Sequence, residues 1–157
     1  MTPAIDAAKV AKIKFQVHRY EHEAGAAYGL EAAQKLNLSP AQVFKTLMLE
    51  TDKGANALSV AIIPVAAQLD LKAAAKALKQ KRVAMADPKI AQRLTGYLLG
   101  GISPLGQKRQ FPTLIDASAQ SLETVFVSAG RRGLEIELAP AQLALLTGAQ
   151  FADISSL

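Results

Sequence analysis

Val43-Phe44-Lys45-Thr46-Leu47-Met48-Leu49-Glu50-Thr51 reads as one strand, Asp52-Lys53-Gly54 as a turn, and Ala57 to Ile63 as the strand that returns. On the first strand Val43, Lys45, Leu47 and Leu49 share a face, while Phe44, Thr46 and Met48 share the other. Both faces are largely apolar, so the strand reads as buried with a lysine in its midst.

Upstream of this hairpin, Thr2-Pro3 opens a short helix, a capping residue followed by proline at the first helical position, running to about Lys12. Phe15, Val17 and Arg19 alternate with Gln16, His18, Tyr20 and His22, a strand pattern. Leu30 to Leu36 has helical spacing and ends near Asn37, with Ser39-Pro40 as a break. Downstream, Asp70 caps a basic helix to about Gln80, and Asp87-Pro88 starts another that ends near Leu94. Thr113 to Ile115 is a short strand. Thr124 to Ser128 and Leu134 to Leu138 flank Ala129-Gly130-Arg131-Arg132-Gly133 as a second hairpin, and Pro140 begins a last helix to about Thr147. Strands and helices interleave but are often joined by hairpins. That argues for an α+β fold with a mixed sheet rather than a doubly wound parallel one. No repeat, low-complexity segment or internal linker interrupts the chain, so 1–157 is expected to be a single domain.

Half of the 157 residues are apolar, enough for an ordinary globular core. No stretch approaches the roughly 18 consecutive apolar residues of a membrane span. Met1-Thr2-Pro3-Ala4-Ile5-Asp6 has no basic region followed by an apolar one, so it does not read as a secretory signal. There are no cysteines, which excludes disulfides, thiolate zinc sites and a cysteine nucleophile. The expectation is a soluble cytoplasmic protein with no membrane partner. The net charge of +5 is unevenly spread. From Leu71 to Ile115, Lys72, Lys76, Lys79, Lys81, Arg82, Lys89, Arg93, Lys108 and Arg109 face one acid, Asp87, for a net +8; the remainder carries nine bases and twelve acids, a net −3. A basic middle third suggests a surface for the phosphates of a nucleic acid; a solvated face on alanine-rich helices is the plainer reading.

Thr95-Gly96-Tyr97-Leu98-Leu99-Gly100-Gly101-Ile102-Ser103-Pro104-Leu105-Gly106 holds four glycines and one proline in twelve residues, yet it is mostly apolar. Glycine admits positive φ and the close approach of another molecule to bare backbone, and proline fixes its own φ. Such a loop has a shape of its own and reads as a pocket wall rather than a tether.

Lys45 is the first candidate for chemistry. A desolvated ammonium is costly unless it meets an anion or ligand, and burial lowers its pKa; snorkelling at a strand end is the structural alternative. His18 and His22 would point the same way as Tyr20 on a strand, but no third metal ligand is evident, so no metal is expected. Gly101-Ile102-Ser103-Pro104-Leu105 lacks the second glycine of a nucleophile elbow, and its proline removes the oxyanion-hole donor. Walker and dinucleotide-binding loops are absent. The residues therefore offer a pocket and a basic surface without a conventional nucleophile.

The sequence resembles the YbaK family, free-standing relatives of the editing domain inserted in bacterial prolyl-tRNA synthetases. The resemblance runs from Met1-Thr2-Pro3-Ala4-Ile5-Asp6 through Val43-Phe44-Lys45-Thr46-Leu47, Met85-Ala86-Asp87 and the loop Thr95 to Lys108. It continues in Val127-Ser128-Ala129-Gly130-Arg131-Arg132-Gly133-Leu134 and Glu137-Leu138-Ala139-Pro140. Its most specific pair is a strand lysine followed by a Gly-x-x-x-Pro loop, here Lys45 and Gly100 to Pro104. The implied fold is a mixed, mostly antiparallel sheet curling toward a barrel with flanking helices.

What the resemblance implies is trans-acting hydrolysis of a mischarged tRNA, chiefly cysteinyl-tRNA(Pro), without cofactor or metal. The substrate's own thiol would attack its carbonyl, releasing a cyclic thiolactone, which accounts for the missing nucleophile. Other readings are a deacylase for mischarged alanine or serine, and a non-catalytic tRNA- or synthetase-binding module. Carried over, Lys45 would hold the terminal phosphate or ribose, and the backbone of Gly100 and Gly101 would lie against the carbonyl and ribose. Tyr20, Tyr28, Thr46, Met48 and Ser128 would line the aminoacyl pocket, with Glu135 beside them; core packing is the alternative for Tyr20 and Met48. Ile102, Ser103 and Pro104 would complete the loop wall. Lys72, Lys76, Lys79, Lys81, Arg82, Lys108, Arg109 and Arg131 are the candidate tRNA contacts. Prolyl-tRNA synthetase is the implied transient partner.

Overall fold

The computed structural model describes residues 1–26 and 28–156, apart from the side chain of Tyr28. In chain order its elements are α1 (Pro3–Val10), β1 (Phe15–Arg19), α2 (Tyr28–Lys35), β2 (Phe44–Thr51), β3 (Gly54–Pro64) and β4 (Gln68–Leu69). There follow α3 (Leu71–Leu78), β5 (Val83–Met85), α4 (Pro88–Thr95), β6 (Thr113–Asp116) and a 3-10 turn at Ala117–Ser121. The chain ends with β7 (Val125–Arg131), β8 (Leu134–Leu138), α5 (Pro140–Thr147), β9 (Gln150–Ala152) and β10 (Ser155–Ser156).

The β2–β3 hairpin is the centre of a five-stranded sheet of order β5-β2-β3-β6-β9. Thr51 pairs with Gly54, so Asp52-Lys53 alone makes the turn and β3 begins earlier than its apolar run suggests. β2 pairs antiparallel with β3 and β5, whereas β3–β6 and β6–β9 are parallel. A second, three-stranded antiparallel sheet has the order β1-β8-β7, and β4 pairs with β10. The two larger sheets meet at one parallel bridge, Val43 to Phe126, where the Phe126 N–H donates to the Gln42 carbonyl at 3.1 Å. The fold is thus mixed, mostly antiparallel α+β. The sheets curl about a shared core, but no closed barrel forms among the described residues, because β1 and β9 end the two sheets without pairing to each other.

Alternation on β2 explains why both of its faces are apolar. Phe44 and Met48 enter the main core with Ile62, Ile115, Val127 and Ile136. Leu49 faces a second cluster with Ala61, Ile63 and Leu114, closed by Ala74 and Ala75 of α3. Each fully buried large aliphatic side chain contributes about 1.5–3 kcal/mol. The helix starts follow from capping: Thr2, Asp70 and Asp87 accept from the N–H groups of Ile5, Ala73 and Lys89. α1 stops at Val10 rather than Lys12, which adopts a left-handed φ of +57°. α3 stops at Leu78 because Lys79 takes the left-handed cap.

The strand expected to reach His22 ends at Arg19, since its partner β8 begins at Leu134 and only the Tyr20 N–H, donating to the Gly133 carbonyl at 3.0 Å, extends the pairing. β7 runs on to Arg131 through a bulge after Ser128, so the hairpin tip is Arg132-Gly133. No helix among the described residues is long and apolar enough to cross a membrane.

Candidate active site

A cavity of about 390 Å³ opens along the edge of β2. β2 supplies Lys45, Thr46, Leu47 and Met48, with residues from both of its faces, because the cavity follows the strand's edge rather than one side of the sheet. Met85, Ala86 and Pro88, at the junction of β5 and α4, wall one end. Ser128 and Glu135 from the β7–β8 hairpin, with Tyr20 just past β1, wall the other. Gly29 and Ala32 of α2 and Val65 cover it, and Leu99, Gly100 and Ile102 bring the glycine-rich loop to its rim.

That loop is held by its own hydrogen bonds. The Tyr97 hydroxyl donates to the Leu105 carbonyl at 2.5 Å, the Leu99 N–H to Gln92 Oε1 at 2.7 Å, and the Lys108 N–H to the Thr95 carbonyl at 2.9 Å. Burial pushes the Tyr97 phenol up to about 12, so it keeps its proton. Gln107 donates from Nε2 to the Ser103 carbonyl at 3.0 Å and to Met48 Sδ at 3.7 Å, tying the loop to the β2 wall. Nothing in the sequence pattern singled out Gln107; its role depends on a contact across 59 positions.

Three ionisable groups in the wall are shifted toward neutrality. Burial lowers the pKa of the Lys45 ammonium, and no carboxylate forms an ion pair with it among the described residues. Glu135 is only 6% exposed, and burial pushes its carboxyl up to about 8, so at neutral pH it is largely a proton donor. Burial likewise raises the Tyr20 phenol. Ser128 Oγ accepts from the Gly130 N–H at 3.1 Å. Thr46 Oγ1 is buried with no hydrogen-bond partner among the described residues.

Of the residues singled out in the sequence, Lys45, Gly100, Tyr20, Thr46, Met48, Ile102, Ser128 and Glu135 meet in this one cavity. Gly100 holds φ at +83°, a conformation that favours glycine. Three others lie elsewhere. Gly101 is buried behind the rim, where a Cβ would stand 2.6 Å from the Arg131 Cα; its bare backbone meets β7 rather than the cavity. Ser103 is fully buried, its Oγ accepting from the Leu105 N–H at 3.2 Å. Pro104 lines a separate cavity of about 100 Å³ with Gln107, Arg109 and Phe111. The Tyr28 side chain lies outside the described residues. Lys72, Lys76, Lys79, Lys81, Arg82, Lys108, Arg109 and Arg131 are all exposed. Lys81 and Arg82 sit at the far end of β2, since the Lys81 N–H donates to Asp52 Oδ1 at 3.2 Å. The six residue steps from Lys45 to Thr51 span about 20 Å.

The two histidines are engaged away from the cavity wall. His18 Nε2 lies 2.8 Å from Glu137 Oε1. His22 Nδ1 lies 2.7 Å from Oε1 of the buried Glu31, whose Oε2 accepts from the Glu23 N–H at 2.8 Å. Burial pushes Glu31 upward, but these hydrogen bonds and the nearby His22 and Arg132 outweigh it and lower its pKa. No three His, Cys, Asp or Glu residues are placed to hold a metal among the described residues.

Residues 22–146 match the aminoacyl-tRNA editing domain. The chain belongs to that family. The match spans α2, the Lys45 strand, the glycine-rich loop and the Glu135 hairpin, so every described cavity-lining residue except Tyr20 falls within it. This editing domain is 44% identical over 124 residues to EbsC of Enterococcus faecalis, a candidate Cys-tRNA(Pro)/Cys-tRNA(Cys) deacylase, covering 79% of this chain and 74% of that protein. Its fold matches the crystal structure of a candidate trans-editing enzyme for prolyl-tRNA synthetase, with a TM-score of 0.85 at 24% identity, covering 99% of this chain and 96% of the other. A hypothetical protein of known crystal structure superposes with a TM-score of 0.87 at 23% identity, covering 98% and 99%.

Proposed function

We propose that this editing domain, acting as a single unit in the cytoplasm, is a trans-acting deacylase that cleaves cysteine from mischarged tRNA(Pro). The observation that carries the reading is Lys45, a half-buried cation without an acidic partner among the described residues, in the wall of the cavity that Gly100 also lines. A lone ammonium held out of water calls for an anion, and the terminal phosphate of a tRNA is one. The editing-domain match and the EbsC relative support the substrate class.

The cavity wall offers hydroxyls but no histidine to activate one. An aminoacyl ester is already activated, so holding it folded is a large part of the catalysis. The substrate's thiol sulfur attacks the ester carbonyl carbon, the C–S bond forms and the C–O bond to ribose breaks. The thiol proton ends on the released ribose oxygen, and water then opens the thiolactone to cysteine. Backbone at Gly100 lies near the carbonyl; Glu135, in its protonated form, Ser128 and Tyr20 supply polar groups around the side chain. No cofactor or metal takes part. Exposed Lys72, Lys76, Lys79, Lys81, Arg82, Lys108, Arg109 and Arg131 track the tRNA phosphates, and prolyl-tRNA synthetase is the transient partner that delivers the substrate.

Purified protein with chelator present is expected to release cysteine or its thiolactone from Cys-tRNA(Pro) while sparing Pro-tRNA(Pro). Equal cleavage of both refutes the specificity. Preferred release of alanine or serine assigns a different substrate, and salt-sensitive tRNA binding without turnover makes the protein a binding module.

A further inference from the structure

At Lys45–Leu47, where it borders the cavity, β2 is paired on one side only. β3 runs beside it from Phe44 to Thr51, whereas β5 reaches only Leu49–Thr51. The direction of each backbone group follows from three hydrogen bonds. The Val65 N–H donates to the Val43 carbonyl at 2.8 Å, which turns the polar groups of residues 43, 45 and 47 toward β3. The Phe126 N–H donates to the Gln42 carbonyl at 3.1 Å and the Ala86 N–H to the Met48 carbonyl at 3.0 Å, so alternate residues turn theirs to the opposite edge. Thr46 lies between those two bonds. Its N–H and C=O both face the cavity side, and among the described residues no strand pairs with it there. Its Oγ1, also buried in that wall, has no partner among them.

We infer that Thr46 grips the amino acid part of the substrate as a strand residue grips its neighbour. Its N–H donates to the ester carbonyl oxygen and its C=O accepts from the α-ammonium. The inference rests on the deacylase reading and adds to it the group that orients the ester.

An aminoacyl ester keeps the nitrogen, α-carbon and carbonyl spacing of a peptide residue, so both bonds of a hydrogen-bonded strand pair form at once. All amino acids share these atoms. The strand edge therefore fixes the backbone of the substrate and leaves discrimination between side chains to the Ser128, Glu135 and Tyr20 end of the cavity. A donor aimed at the carbonyl oxygen also stabilises the negative charge that develops there on attack.

The test uses the full chain and a non-hydrolysable probe, 3′-deoxy-3′-(L-cysteinylamino)adenosine, with amide hydrogen exchange read by NMR. At about twenty times its Kd, the probe is expected to slow exchange at Thr46 roughly twentyfold. Lys45 and Leu47, already bonded to β3, are expected to change little. The same probe without its α-amino group is expected to bind at least about tenfold more weakly, having lost a charge-assisted bond. Unchanged Thr46 exchange at saturation, equal binding of the two probes, or no binding of either overturns the inference. Cleavage of Cys-tRNA(Pro) by the same preparation is scored separately, so the strand-edge grip can fail while the deacylase reading stands.

Discussion

Replacing Glu135 with glutamine separates a buried acid from an ordinary surface carboxylate. Burial holds the folded-state pKa at about 8 against a reference of 4.5. Below pH 4.5 both folded and unfolded chains carry the proton, and the group has no effect on relative stability. Between pH 4.5 and 8 the unfolded chain has lost the proton and the folded one keeps it. Stability therefore falls as pH rises, by about 1.4 kcal/mol per unit, reaching a loss of about 5 kcal/mol above pH 8. Glutamine fills nearly the same space and does not titrate. Urea unfolding of wild type and Glu135→Gln is expected to give stability curves that diverge with pH, the variant gaining nearly 3 kcal/mol on wild type between pH 5 and 7. Curves that stay parallel across that range refute the assignment of Glu135 as a buried, proton-bearing group. The same substitution keeps a hydrogen-bond donor in the cavity, so activity is expected to survive at neutral pH.

Lys45→Ala is expected to abolish most deacylation with little change in Tm, since among the described residues the ammonium forms no ion pair that the fold would lose; a large fall in Tm shows that the lysine is structural. Gly100→Ala is expected to cost about 1–2 kcal/mol for its left-handed φ and to block turnover by crowding the rim. Gly101→Ala is expected to destabilise by about 1–3 kcal/mol through its collision with the Arg131 backbone, a difference that thermal melts of the two variants read directly. Thr46→Val is expected to raise unfolding free energy by about 1–3 kcal/mol, because it removes a buried hydroxyl without a partner among the described residues, and to lower kcat/KM. A variant with unchanged stability and full activity refutes that account of the hydroxyl.

Local patterns were readable wherever local physics sets the structure. Helix starts at Thr2, Asp70 and Asp87 follow from capping, and the β2–β3 and β7–β8 hairpins follow from apolar runs around turn residues. The short strands β4, β5, β9 and β10 carry no pattern of their own; each exists because a distant segment offers a free edge. The same limit applied in the glycine-rich loop. Its composition announced a shaped wall, yet Gly100 faces the cavity while Gly101, Ser103 and Pro104 do not, because consecutive residues of a bent loop turn to different neighbours.

Residue identity by itself determined the chemistry available: no cysteine, two histidines, a lysine within an apolar strand, a basic middle third and a glycine-rich loop. Tertiary structure alone decided which of these groups meet. It engaged both histidines with glutamates, brought Lys45 and Gly100 to one cavity, and drew Glu135 into a wall that raises its pKa. It also left the Thr46 edge of β2 unpaired among the described residues where β5 ends. A pKa shift and a free strand edge are properties of surroundings assembled from remote parts of the chain, and no local window of sequence contains those surroundings.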